Sequence, residues 1–376
     1  SISHCMFEGN DEADEYDTVV PRPFSVATVY GSLSNTTRKV AGLIYDEVSN
    51  GNVLSSGSAN DEHGTHVAAT VAGQRVAGAI SPGDGVAPGA RIHFCDVQND
   101  QMAFIPPEPL SDPFAIAYDA GARIYTNSWG EADVQMLGAY TSHCLQADSF
   151  VHQNPDFTLL FSAGNSGGYS HERRSKDTFG NSIGPPGTSK NVITVGAAMN
   201  VPRYKQLKHL MHGLNAEWAP DYFTPEIKQL IQDYPDEIIT FSDSETDVPW
   251  QFVADFSSVG PTDDGRIKPD VVSIGSYVTS ATAASQCGTS VHHGTSMSTP
   301  MTAGGTALVR EYFMRGFYPS GLAGADAGGR SYVAAYVDGF SRGFVPTAAT
   351  PKAVIVNAGD PLRGAAPSPA TYTTND

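Results

Sequence analysis

No apolar run in the sequence approaches the ~18–20 residues of a membrane-spanning helix, so a transmembrane segment of that kind is not expected. Basic residues are scarce: 22 Lys and Arg stand against 40 Asp and Glu, a formal net charge of −18. Such a surface repels phosphate backbones and anionic lipid, which makes nucleic acid and membranes poor partners and leaves acidity the role of keeping the protein dispersed. Cysteine is sparse too. Cys5, Cys95, Cys144 and Cys287 lie far apart and form no CxxC pair, which argues against a zinc site and leaves two disulfides, one or none open. There is no internal repeat and no low-complexity tract. Ser1-Ile2-Ser3-His4-Cys5 has neither an initiator Met nor the layout of a signal peptide, and the expectation is that residues have been removed ahead of it.

What is present is a globular composition. Hydrophobic residues make up 40%, and 38 Gly and 25 Pro are dispersed along 376 residues, which points to many turns rather than to disorder or a collagen-like repeat. Residues 40–45, 90–97, 122–127, 158–163 and 192–198 are short apolar runs with the length and bounding turns of buried strands. Residues 63–72, 113–120, 138–153 and 296–313 fit helices. Alternation of the two predicts an α/β fold in three layers, with a mostly parallel central sheet and helices on both faces. In such sheets ligands bind beyond the carboxyl ends of the strands, where the polar, Gly-rich segments of this chain fall. Residues 199–253 break the rhythm and read as a surface insertion with an amphipathic helix at 225–234. Residues 316–346 read as a long loop, and after Gly359 the Pro, Ala, Ser and Thr text reads as a linker or a truncated end.

Three segments carry chemistry. In His292-His293-Gly294-Thr295-Ser296-Met297-Ser298-Thr299-Pro300 a small-residue turn feeds a helix and sets Ser296 at its N-terminus, where orphan N–H groups and the dipole favour developing negative charge. A plain N-cap serine would look the same in isolation. In Asp61-Glu62-His63-Gly64-Thr65-His66 a second helix starts on a histidine, and a serine hydroxyl needs an imidazole to take its proton. A zinc helix would space its histidines at i and i+4 with Glu between, whereas His63 and His66 are at i and i+3. A core role suits His66 better than His63. In Leu159-Leu160-Phe161-Ser162-Ala163-Gly164-Asn165-Ser166-Gly167 a strand runs into a turn whose first long polar side chain is an amide, a donor able to face an oxyanion.

In this order, these segments resemble the subtilisin (S8) peptidase family over roughly residues 1–359. Gly85-Val86-Ala87-Pro88, Asn127-Ser128-Trp129-Gly130, Asn191-Val192-Ile193-Thr194-Val195-Gly196-Ala197, and Phe256-Ser257-Ser258-Val259-Gly260-Pro261 with Lys268-Pro269-Asp270 add to the resemblance. The last of these is similar to large, oxidatively stable alkaline proteases and their protist relatives. The resemblance implies a subtilase catalytic domain over residues 1–376, truncated at both ends, acting as a serine endopeptidase through an acyl-enzyme. It assigns His63 as general base, Ser296 as nucleophile and Asn165 as oxyanion donor, with the Ser296 backbone as a second donor. Ser128, Trp129, Gly130 and Ser162, Ala163, Gly164 would flank an extended peptide, and Gly184 would lie at the base of a pocket for a large apolar side chain. Met297 would be a site of oxidative inactivation. Polypeptide substrates, a monomer, a propeptide of its own and secretion are further implications. No cofactor is implied for catalysis. Structural calcium is a family option, but in the usual loop, residues 73–84, only Asp84 is a strong ligand, so that site is not expected.

One member of the pattern is missing. The family carries the triad carboxylate in Asp-(Thr/Ser)-Gly ahead of the histidine, and no such triplet precedes His63. Asp17 follows an acidic run, and Asp46 ends a run that looks like the family's second strand. Ser1-Ile2-Ser3-His4-Cys5-Met6-Phe7 is similar to the text directly after that triplet, which places the expected Asp just ahead of Ser1. The alternative function is a catalytically inactive, subtilase-like module that binds extended peptides. A dibasic-specific processing enzyme would want clustered carboxylates by the pocket, where this chain offers Glu131 and Asp133.

Overall fold

The computed structural model describes residues 5–7, 19–21, 26–30, 40–46, 62–74, 83–95, 106–167, 180–200, 252–285, 287–317, 336–337, 340–341, 343–362 and 364–365. A first sheet is ordered β1 (Val19–Pro21), β2 (Val26–Tyr30), β3 (Val40–Asp46), β4 (Ile92–Cys95), with β3 and β4 parallel. A second sheet contains β5 (Ile124–Asn127), β6 (Thr158–Ser162), β7 (Ile193–Ala198), β8 (Phe252–Val253) and β9 (Val271–Ile274); β5, β6, β7 and β9 run parallel. The expected parallel core is therefore present, but among the described residues it comes as two sheets, with β4 and β5 each the last strand of its own. Cys95 on β4 and Tyr125 on β5 pack against the same two residues, Ile116 and Ala117.

β6 explains why helices cover both faces. All five of its residues are buried, and successive side chains leave a strand on opposite sides. Leu159 and Phe161 join Leu110, Phe114, Phe150 and Phe157, which belong to α2 (Ser111–Asp119), α3 (Ser142–Gln153) and their flanks. Leu160 points the other way, toward Ile193, Val195 and Ala303 of α4 (Thr295–Met314), with Val71 of α1 (Glu62–Ala72) against them. A strand with no exposed position is what a doubly covered sheet demands.

The loop at 85–87 fastens α1. Its amides cap the helix end: Gly85 N donates to Gly73 O (2.7 Å), Val86 N to Thr70 O (3.1 Å) and Ala87 N to Val71 O (2.8 Å). Those of Thr70 and Val71 are carbonyls a helix leaves without partners of its own. Beside α1, Met6 and Phe7 pack on Ala68, Ala69 and Ala281, and Cys5 forms a disulfide with Cys287. Of the pairings that four cysteines allow, this one is formed, and Cys95 and Cys144 stand outside any disulfide. Cys287 sits beyond the antiparallel hairpin of β10 (Val278–Ala281), in the connection to β11 (Thr289–His292).

Helix starts moved little. The third helix begins at Ser142 rather than at 138, because Thr141 ahead of it is still extended (φ −94°, ψ 177°). Residues 201–251, the greater part of the expected insertion and its helix at 225–234, lie outside the described residues. Ala198 at the end of β7 pairs with Val253 of β8. Of the expected loop at 316–346, residues 336–337 and 340–341 pair as β12 (Tyr336–Val337) and β13 (Phe340–Ser341). The chain then forms α5 (Ala349–Asn357), and β14 (Gly364–Ala365) runs parallel to β8. Among the described residues no helix is long and apolar enough to cross a membrane.

Candidate active site

Ser296 is the second residue of α4, and the turn before it is held open by Gly294, whose φ of +139° is a conformation side chains disfavour. A Cβ built on Gly294 would stand 3.4 Å from Asn165 Nδ2 and 3.6 Å from the Ser296 amide nitrogen. The Asn165 side-chain amide and the Ser296 main-chain amide thus both lie beside Gly294, one from a turn and one from the first turn of a helix. Developing negative charge is best stabilised by fixed donors of this kind.

Asn165 is held in that orientation. Its Oδ1 accepts from the Thr295 amide at 2.9 Å and from the Thr295 hydroxyl at 3.0 Å, and Thr295 Oγ1 accepts in turn from Gly164 N at 3.2 Å. With the oxygen end engaged, the NH2 end is left to face Gly294. Thr295 is the residue that reading by motif passed over. Its only signal was its place between Gly294 and Ser296.

Ser128 meets Ser296 twice: Ser296 Oγ donates to Ser128 O (3.2 Å), and Ser128 Oγ donates to Ser296 O (2.8 Å). Trp129 packs edge-on against Phe161 with ring centroids 5.5 Å apart, and its carbonyl accepts from Ser162 Oγ at 3.3 Å. The segments 128–130 and 162–164 are bridged by Gly184 and Pro185. Gly184 N donates to Ala163 O (3.0 Å), and Glu131 N donates to Pro185 O (2.8 Å). A Cβ on Gly184 would fall 2.3 Å from Glu131 O, so a close main-chain approach gives this glycine a packing reason of its own. Gly164 O accepts from Ser258 N at 2.9 Å, and Ser258 Oγ accepts from Ser166 N at 3.0 Å, which fastens the Asn165 turn from below.

His63 lies exposed in the first turn of α1, whereas His66, one turn on, is fully buried. His66 Nε2 is 3.0 Å from Val278 O. Burial, with the His292 imidazole beside it, holds the His66 ring down to about 4, so it is neutral at ordinary pH. Met297 is 1% exposed, which limits an oxidant's access to its sulfur. Among the described residues no cluster of three His, Cys, Asp or Glu could hold a metal ion.

The fold is thus a parallel α/β sheet with a serine at a helix start and the Asn165 and Ser296 amides beside one glycine. The model of the subtilase family matches residues 10–322, and the chain belongs to that family of serine peptidases. It is 29% identical to the Serine protease/ABC transporter B family protein tagD of Dictyostelium discoideum over 99% of this chain and 20% of that protein. It is 30% identical to the tagB protein of the same organism, over 85% of this chain and 17% of that protein. The chain therefore spans about a fifth of the length of the curated relatives it matches. Among solved structures, Sphericase is 22% identical, covering 66% of this chain and 63% of that one, with a TM-score of 0.42.

Proposed function

We propose that this chain is a serine endopeptidase domain that cleaves peptide bonds through an acyl-enzyme on Ser296. The observation that carries this reading is the convergence of Asn165 Nδ2 and the Ser296 amide on the space beside Gly294. His63 takes the Ser296 proton as the hydroxyl attacks the carbonyl carbon, and the oxyanion is received by those two donors. His63 returns the proton to the leaving amine, and water resolves the ester by the same path. The peptide lies between the segments 128–130 and 162–164, with the side chain before the cleaved bond toward Gly184. A serine-directed phosphonate should label the protein at Ser296, and Ser296→Ala should abolish labelling. Labelling elsewhere would remove the assignment.

The triad also needs a carboxylate on His63. We infer that it arrives on a strand seated between β4 and β5, since among the described residues each is the end strand of its sheet, both pack on Ile116 and Ala117, and a strand end of a sheet favours addition of another. The coding sequence ahead of Ser1 should then read Asp-Thr-Gly or Asp-Ser-Gly, and a different text there removes the idea. One observation favours the peptide-binding alternative: the Ser296 hydroxyl is directed to Ser128 O. A protein that binds extended peptides yet resists the phosphonate would establish it. The Cys5–Cys287 disulfide supports placement in the secretory pathway, where such bonds persist.

A further inference from the structure

The residue before His63 and the last residue of β11 meet across the top of α1. Glu62 Oε1 lies 3.3 Å from His292 Nε2 and accepts from Thr282 Oγ1 at 2.9 Å. His292 stacks on His66, with ring centroids 4.4 Å apart and 21° between planes. One turn further, Ser280 Oγ donates to His66 O at 2.9 Å, and His66 Nε2 reaches Val278 O. The β10–β11 hairpin is thus fastened along the first two turns of the helix that carries His63. The same hairpin runs through His293 and Gly294 straight to Ser296.

We propose that Glu62 and His292 are a positioning pair for peptide hydrolysis, holding the general-base helix on the strand that presents the nucleophile and adding negative charge beside His63. This rests on the serine-peptidase reading above. Three arguments carry it. First, the contact joins the immediate neighbour of His63 to a strand end four residues from Ser296, so any slack in it alters the separation of the two reacting groups. Second, buried His66 is neutral and hydrogen-bonded to Val278, so it forms a flat plate under His292 and does not compete for the carboxylate. Third, both side chains are partly exposed, at 39% and 25%. Exposed ion pairs add little to stability, so the signature of this pair is in rate and basicity rather than in melting temperature.

The titratable groups around Glu62 are His63 and His66 on α1, and His292 and His293 at the end of β11. Tyr277 N donates to His293 Nδ1 at 3.1 Å. Among the described residues of this group Glu62 is the carboxylate, and removal of its charge lowers the basicity of the neighbouring His63.

The test uses Glu62→Gln, Glu62→Asp, His292→Gln and the Gln/Gln double variant in the full-length protein. Ring-proton NMR, with His63→Gln for assignment, follows the titration of His63. Glu62→Gln should lower the His63 midpoint, and the acid limb of kcat/KM with it, by about half a pH unit. It should cut kcat several-fold while KM stays within about twofold. Glu62→Asp, which keeps the charge, should restore most of the midpoint. The double variant should lose no more rate than either single one, as expected for two ends of one contact. A His63 midpoint that stays put in Glu62→Gln, or losses that multiply in the double variant, overturns the proposal. Should Glu62→Gln fail to fold, the midpoint in His292→Gln and Glu62→Asp still decides the matter. A parent protein that the phosphonate does not label at Ser296 sinks the serine-peptidase reading instead, and the NMR midpoints separate that outcome from failure of the pair.

Discussion

Asn165 and Thr295 are joined by two hydrogen bonds to a single oxygen: the Thr295 amide reaches Asn165 Oδ1 at 2.9 Å and the Thr295 hydroxyl reaches it at 3.0 Å. An amide whose oxygen is held twice cannot flip, so its NH2 group is aimed before any substrate arrives. Donors that need no reorganisation are the ones that stabilise a transition state most.

Asn165→Ala should therefore lower kcat by roughly 10²–10³-fold with KM little changed. Thr295→Val removes one of the two restraints and keeps the main-chain bond, so its loss should be well below that of Asn165→Ala. Steady-state kinetics on a peptide ester and a peptide amide check both, and equal losses for the two variants would mean that Thr295 does more than orient Asn165.

His66 should make the fold sensitive to acid. Its pKa is about 4 when folded and ~6.5 in an unfolded chain. Between these values the unfolded state binds a proton that the folded state refuses. Stability is thus intact above pH ~6.5, falls as pH drops toward 4 and levels off below that, for a loss on the order of 3 kcal/mol. Urea unfolding at several pH values should show a shallower fall across this window in His66→Gln than in the parent.

The disulfide closes a loop spanning 282 residues of sequence separation, joining Cys5 to the connection that leads into β11. Reduction, or Cys287→Ser, should cost about 2–5 kcal/mol. Thermal melts with and without a dithiol reductant measure it. Alkylation without reductant should modify neither Cys5 nor Cys287.

Gly184→Ala would put a methyl group 2.3 Å from Glu131 O, a main-chain atom that cannot step aside alone. The Gly130–Glu131 segment should shift, raising KM and destabilising the fold by about 1–3 kcal/mol. An unchanged melting temperature would show that this approach is looser than the structure has it.

Much of the architecture was legible from the text. Leu159-Leu160-Phe161 reads as a strand buried on both faces, and β6 is one. The small residues before Ser296 read as a turn into a helix, and α4 starts there. A core role suited His66 better than His63, and burial divides them that way. Other features were hidden in residues that look ordinary. Glu62 passes for an acidic residue at a helix start, and His292 for one of two histidines in a row. Thr295 is a small residue in a small-residue turn. The division of the sheet at β4 and β5 could not be read from runs of apolar residues, since each strand looks complete by itself.

By itself the sequence determined the local states: where strands and helices form, where glycine must bend the chain, and which residue types stand at the strand and helix ends. Those outcomes depend on neighbours a few positions away, through side-chain periodicity and backbone sterics. Only the tertiary structure decided the partners. Glu62 meets His292, Asn165 meets Thr295, Gly184 meets Glu131 and Cys5 meets Cys287 because packed helices and sheets bring distant segments within a few ångströms. Which residues arrive at that range depends on the whole core, and no short stretch of text contains it.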